Sequence, residues 1–217
     1  LFDLAPQMPP HFSNASVDQF IAPGASAFTS ADIPDMSTYA KESHFWVANF
    51  FLNSVFNSTF KPPLNAYAYN FVRRAQYAFS EHSLARSSTL EYVAKSIPSA
   101  PKYADALFHW ECFLSQAWHA YALLVKALQA KAFDKNDGSV EQRLNALYNQ
   151  MKHVESRIEN GQMPPGATVP VWLENDGLHS IDCSLTYEES GAVLKDLAKY
   201  ADALSNPSSA AATLGGA

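Results

Sequence analysis

The stretch KYADALFHWECFLSQAWHAYALLVKALQAKA, residues 102–132, carries the strongest pattern in this 217-residue chain. Its apolar residues Leu107, Trp110, Leu114, Ala117 or Trp118, Tyr121, Leu124 and Leu128 recur every three or four positions, the period of an α-helix with one buried face. A strand would need strict alternation, and a loop would need the Gly and Pro that are missing here. A helix this long with one apolar side requires other helices to cover it. The expected fold class is therefore all-α, a bundle of four to five helices.

The flanking segments supply the partners. Residues 64–96 predict a long helix entered through Lys61-Pro62-Pro63 and left at Ile97-Pro98, with Ser87-Ser88 as a candidate interruption. Residues 38–60, TYAKESHFWVANFFLNSVFNSTF, contain neither Pro nor Gly and are apolar around much of a helical circumference, the mark of a helix buried on several sides. Residues 139–160 predict a further helix with Val140, Leu144, Leu147, Met151, Val154 and Ile158 as its inward seam. Asn175-Asp176-Gly177 between the short runs Val169–Leu173 and Ile181–Leu185 suggests a small hairpin, an extended excursion before the last helix. That helix opens at Thr186-Tyr187-Glu188-Glu189, a capping-box spacing, and stops at Asn206-Pro207.

Three segments follow: an irregular, proline-containing N-terminal arm over residues 1–37, a helical bundle domain over 38–205 and a flexible Ser-, Ala- and Gly-rich tail over 206–217. Leu1, Phe2, Phe12, Phe20 and Phe28 of the arm are expected to lie on the core.

Composition narrows the function classes. A formal net charge of -6 argues against the broad basic surface that duplex DNA needs, leaving room only for a local basic cleft. Cys112 and Cys183 are too few for a structural zinc site or a disulfide framework, and no run reaches the roughly 18 apolar residues of a membrane span. The expected location is the cytoplasm, without membrane contact. No Glu has a His three residues later, so the paired motif of di-iron bundles is missing; Asp176-x-x-His179 stands alone in a loop. Phosphate-loop, dinucleotide and zinc-protease motifs are missing too. The sequence therefore assigns no metal site and no cofactor.

The polar residues on the helices have ordinary readings. Glu111, among Phe108, Trp110 and Phe113, reads as an acid partly removed from water and hydrogen-bonded to a neighbouring helix. His44, His109 and His119 read as structural hydrogen-bonders. Arg73, Arg74, Glu81, His82 and Arg86 read as a solvated face with weak ion pairs; the alternative is a face that supplies cations to a cleft between elements or subunits.

One row invites chemistry. Measured from Val140, Asn149, His153, Arg157 and Asn160 fall at about 180–260° around the expected fourth helix, opposite its seam. With Gln142 they form either plain surface or the lining of a groove covered by another element or copy. His can move protons near neutral pH and Arg can offset charge on a cleaved phosphate, a pairing suited to RNA.

Tyr148-Asn149-Gln150-Met151-Lys152-His153, on a late helix of such a series, resembles the higher eukaryotes and prokaryotes nucleotide-binding (HEPN) helical bundles. The resemblance covers residues 38–205 in architecture and implies a homodimer. Active members are metal-independent RNases, often of defence or toxin systems, with an Arg, usually then a polar residue, and a His four to six residues after the Arg. Asn149 and His153 match; Tyr148 stands where the Arg belongs, with Arg143 and Arg157 as the nearest substitute cations. Members without the motif are non-catalytic partners or binding modules. The resemblance therefore implies a degenerate, dimeric module for RNA, a nucleotide or a partner protein, with Gln142, Arg143, Tyr148 and Asn160 as binding residues. One alternative is an RNase acting through His153 with Asn149 and Arg157. Another is a bundle whose aromatic surplus lines a cavity for an apolar small molecule.

Overall fold

A computed structural model describes residues 18–57, 60–95, 99–163, 165 and 167–206. They form seven helices and one small three-stranded antiparallel sheet, with 65% helical content. The fold is thus predominantly helical rather than purely all-α. The helices are α1 (Ser37–Ser43), α2 (Trp46–Asn57), α3 (Leu64–Val93), α4 (Ala100–Ala127), α5 (Val140–Lys152), α6 (Val154–Glu159) and α7 (Tyr187–Ser205); the strands, between α6 and α7, are β1 (Trp172–Leu173), β2 (Gly177–His179) and β3 (Ser184–Thr186). Leu1, Phe2, Phe12 and residues 207–217 of the expected tail lie outside the described residues.

The long helices α3 and α4 pack along their length as an antiparallel hairpin. Both seams mix small and large residues. The buried side of α3 carries Ala68, Ala75, Ala78 and Ala85 with Phe71 and Phe79, and that of α4 carries Ala106, Ala117 and Ala120 with Trp110, Phe113 and Leu114. Alternation of small and large side chains on both helices is the condition for dense packing. Trp110 is fully buried, and its indole N–H donates to Thr89 Oγ1 at 2.9 Å, so burial leaves no orphaned donor there. No interruption occurs at Ser87-Ser88: α3 runs through both residues, held by this contact against their weak helix preference.

The arm lies against the end of this hairpin. Asp18 accepts from Ser26 through both its backbone N–H (2.7 Å) and its hydroxyl (2.6 Å), closing a loop that turns Phe28 inward. Phe28 stacks on Tyr92 at 5.5 Å and meets Tyr103 edge-on at 6.4 Å. Phe20, expected on the core, is 65% exposed.

Two expected helices are broken. Residues 38–60 divide at His44 and Phe45 into α1 and α2. The buried Ser43 turns its hydroxyl back to Ala40 O at 2.8 Å, a local bond that competes with the helical ladder. The break lets Trp46 and Phe50 point inward, Trp46 meeting Phe79 edge-on at 5.4 Å. It also leaves the outer side of α2 in the open, contrary to a helix buried on several sides. The fourth expected helix breaks at His153, which ends α5 and precedes α6. Leu144 and Leu147 are buried as expected, whereas Ile158 is 60% exposed. Val154 is half-buried and no described residue covers Ile158, so little apolar contact among the described residues holds the helix straight beyond Lys152.

The hairpin at Asp176-Gly177 gains a third strand, in the order β1-β2-β3. Leu173 pairs with Leu178, and Leu178 with Leu185; all three are fully buried. A Cβ on Gly177 would lie 2.2 Å from Leu185 O, which is why the turn needs glycine there. The capping box forms as its spacing predicts: Thr186 Oγ1 accepts from Glu189 N at 3.1 Å, and Glu189 Oε2 from Thr186 N at 2.9 Å. Among the described residues no helix is long and apolar enough to cross a membrane.

Replacing Trp110 by Ala should cost ~3–5 kcal/mol of stability, the range for deleting a large buried aromatic. A chemical denaturation midpoint unchanged from wild type would show that the α3–α4 contact is not the centre of the fold.

Candidate functional site

The polar face of α3 is where a cavity forms. His82, Ser83, Arg86 and Ser87, flanked by Phe79 and Leu90, recur at helical spacing along one wall. Asp35, Met36, Ser37 and Ala40 make the opposite wall, and the space between is about 390 Å³. That is the size of a small-molecule site. The arm is held there by Arg86, whose Nε donates to Ile33 O at 3.1 Å; within the arm, Asp35 Oδ1 accepts from Ser37 N at 2.8 Å. The Ser37 bonds, followed by the weaker attraction of Arg86 and His82, hold the Asp35 carboxyl below its ordinary value.

His82 is the unusual member. Only 1% of it is exposed, its ring meets Trp110 at 5.4 Å and Phe113 at 5.5 Å edge-on, and its Nε2 has no hydrogen-bond partner among the described residues. Burial, reinforced by the charge of Arg86, lowers its pKa from 6.5 to about 4. The imidazole is therefore neutral at physiological pH. Among the described residues Arg86 makes no close ion pair; the Asp35 carboxylate on the opposite wall acts on it at longer range.

These groups suit binding better than proton transfer. A general base works best with a pKa near the operating pH, and His82 is more than two units too acidic. A guanidinium and the Ser83 and Ser87 hydroxyls on one wall, with the Asp35 carboxylate on the other, suit a small polar ligand that carries an anionic group and hydrogen-bonding atoms. The signal was present in the sequence as His82-Ser83-x-x-Arg86-Ser87. What it lacked was the opposite wall, supplied by a segment more than forty residues away. The aromatic surplus does not line this cavity: among the described residues Phe79 is the one Phe, Tyr or Trp in its wall.

The residues singled out on the late helix lie elsewhere. Gln142 accepts from Gly138 N at 2.7 Å and Asn149 donates to Asn145 at 3.1 Å. Tyr148 contacts His119 Nε2 through its hydroxyl at 3.3 Å, with Lys152 5.9 Å from its ring centre. Arg143 is committed to structure: its guanidinium grips both oxygens of Glu189, at 2.5 and 2.9 Å, and Ser184 O at 2.7 Å. It ties α5 to β3 and α7, so it is not an outward cation. His153 is exposed at the helix break, Arg157 half-buried one turn on and Asn160 exposed at the end of α6. His153 and Arg157 are joined by a backbone bond, Arg157 N to His153 O at 3.1 Å.

Of the other histidines, His109 contacts Glu81 at 3.0 Å and His119 contacts Ser115 O at 2.7 Å, both in hydrogen-bonded roles. Glu111 lacks the expected partner among the described residues, and burial raises its pKa. Glu174, Asp176 and His179 bring potential metal-ligand atoms within 4.8 Å of one another. His179 Nε2 is already 2.8 Å from Asp176 and its Nδ1 3.8 Å from Glu174, a pairing that accounts for the cluster as a brace across the hairpin turn.

Fold and site together define a predominantly helical protein with a polar cavity between its long hairpin and its N-terminal arm. Compared with protein-family models, curated proteins and solved structures, the chain matches none.

The buried His82 makes a pH prediction. Its folded pKa lies below its ordinary 6.5, so between pH 6.5 and about 4 the unfolded chain binds the extra proton and stability falls with pH. Above pH 6.5 the group contributes no such loss. The shift corresponds to an order of 3 kcal/mol. In a His82→Gln variant the decline over this window should be shallower by about that amount; equal slopes in both proteins, read by urea denaturation at each pH, would refute the assignment.

Proposed function

We propose that this chain is a binding module for a small polar ligand bearing a carboxylate or phosphate, held in the cavity between α3 and residues 35–40. The supporting observation is the cavity itself, about 390 Å³ between α3 and residues 35–40, with Arg86, Ser83 and Ser87 in its wall. Arg86 supplies the counter-charge. The net charge of -6 repels anions from most of the surface, which concentrates anion binding at this cation.

The test is thermal denaturation with inorganic phosphate and with succinate as probes. At ~100 times the dissociation constant a ligand that binds only the folded state adds ~2.7 kcal/mol, a shift of several degrees in Tm. Arg86→Gln should abolish that shift. An identical shift in the variant would remove Arg86 from the site.

A second reading keeps a nucleotide-related role for the late helix, as a degenerate HEPN-like module for RNA. Its support is the exposure of His153 beside Arg157 and the lack of a side-chain hydrogen bond to either among the described residues. Under this reading single-stranded RNA binds the protein in the presence of a chelator, and His153→Ala with Arg157→Ala weakens binding at least tenfold. If cleavage accompanies binding, His153→Ala abolishes it with the fold intact. Absence of binding in filter retention at low salt would end this reading.

A further inference from the structure

The outer side of α2 is the largest departure from ordinary surface chemistry in the fold. Phe45, Phe51, Leu52, Val55 and Phe56 are 50–79% exposed. With Ala48 they follow the three- and four-residue spacing of one helical face. The opposite side of the helix is already buried through Trp46 and Phe50, and α2 contains no charged residue. Asn49, Asn53, Ser54 and Asn57 lie outside this face, and a helix face this apolar ordinarily packs against other elements. Within this protomer α2 is covered on one side only.

We propose that this face is the interface of a homodimer, with α2 packed on α2 of a second copy about a two-fold axis. The area is sufficient. With ~150–250 Å² per aromatic side chain, the five residues expose roughly 500–600 Å² of apolar surface, at the upper end of the largest patch on a typical monomer. Doubled across the axis this is about 1,100 Å², and rim residues bring it into the ~1,200–2,000 Å² range of stable interfaces.

The chemistry selects a second copy over the other occupants. Homodimer interfaces are more apolar than transient ones, whose composition resembles the rest of the surface. A membrane-surface helix pairs its apolar face with Lys and Arg on the other; α2 has neither, and the chain's charge of -6 opposes anionic lipid. In an antiparallel isologous pairing the middle residues Phe51 and Leu52 lie nearest the axis, and Phe45 of each copy meets Val55 and Phe56 of the other.

The test is light scattering after gel filtration, with a dilution series by sedimentation. Wild type should run at twice its 23.9 kDa chain mass. Phe51→Glu with Phe56→Glu should raise the dimer dissociation constant more than ~30-fold, with an unchanged helical circular-dichroism signal because both side chains are exposed in the protomer. Phe56→Leu should preserve the dimer. A wild-type monomer at 100 μM overturns the proposal, as does a dimer indifferent to the double substitution. A monomer that sediments with neutral phosphatidylcholine vesicles assigns the face to lipid instead. A monomer that dimerises only after removal of residues 1–17 or 207–217 assigns it to a terminal segment.

Discussion

Trp110 sits where the demands on this fold meet. Its indole is fully buried, donates to Thr89 on α3, lies edge-on to His82 and faces Tyr187 of α7 at 5.2 Å. Small residues on both α3 and α4 make room for the large side chains of the other. Dispersion acts over short distances, so this close approach is what turns two long amphipathic helices into a rigid pair. The arm, the small sheet and α7 then pack on a surface that already exists. The cavity inherits its rigid wall from the same contact, because the His82 ring is clamped by Trp110 and Phe113 before any ligand arrives.

Rigidity on one side is matched by weaker support on the other. Helix α1 has seven residues, below the ~12–15 at which isolated helices become even marginal in water. Its place depends on Met36 and Ser43 being buried and on the hydrogen bond from Arg86 to Ile33. A site between a fixed wall and a locally supported one can adjust to a ligand at small cost, since binding need not disturb the core. The neutral His82 fits such a role. Protonating it in place would bring a second positive charge beside Arg86 in a buried setting, which its low pKa expresses.

Periodicity and capping chemistry made much of this architecture legible. The repeat through Leu107, Trp110, Leu114 and Leu124 located α4, Thr186 with Glu189 located the start of α7, and Asp176-Gly177 located the turn between β1 and β2. Each signal is local, so neighbouring residues suffice to read it. The breaks at His44 and His153 were not legible, because both depend on what lies opposite. Ser43 can turn its hydroxyl to Ala40 in any helix, but the chain divides there because Trp46 and Phe50 must meet Phe79 and Phe60. The seam of α5 stops at Met151 because no partner surface continues. Arg143 looked like an available cation; the carboxylate it grips lies 46 residues away. His82 and Arg86 were visible as a polar face, while the second wall of their cavity depended on how the arm folds back.

A residue that obeys local rules makes no demand for a ligand. The row Gln142, Asn149, His153 and Asn160 is polar on the outer side of an amphipathic helix, which is the composition water selects. It would be the same if the row had no function. An unpaired nitrogen inside the protein and a run of phenylalanines outside it are different, because each forgoes free energy that a modest change of sequence would recover. Leaving ~500–600 Å² of apolar surface in water gives up on the order of 10 kcal/mol at about 25 cal/mol per Å². A chain with the marginal stability of a natural domain, ~5–15 kcal/mol, is sensitive to a term of that size. Departures of this kind from local rules mark functional or strained positions. That difference in energetic demand, more than the identity of any single side chain, directs attention to His82 and α2 rather than to the polar row.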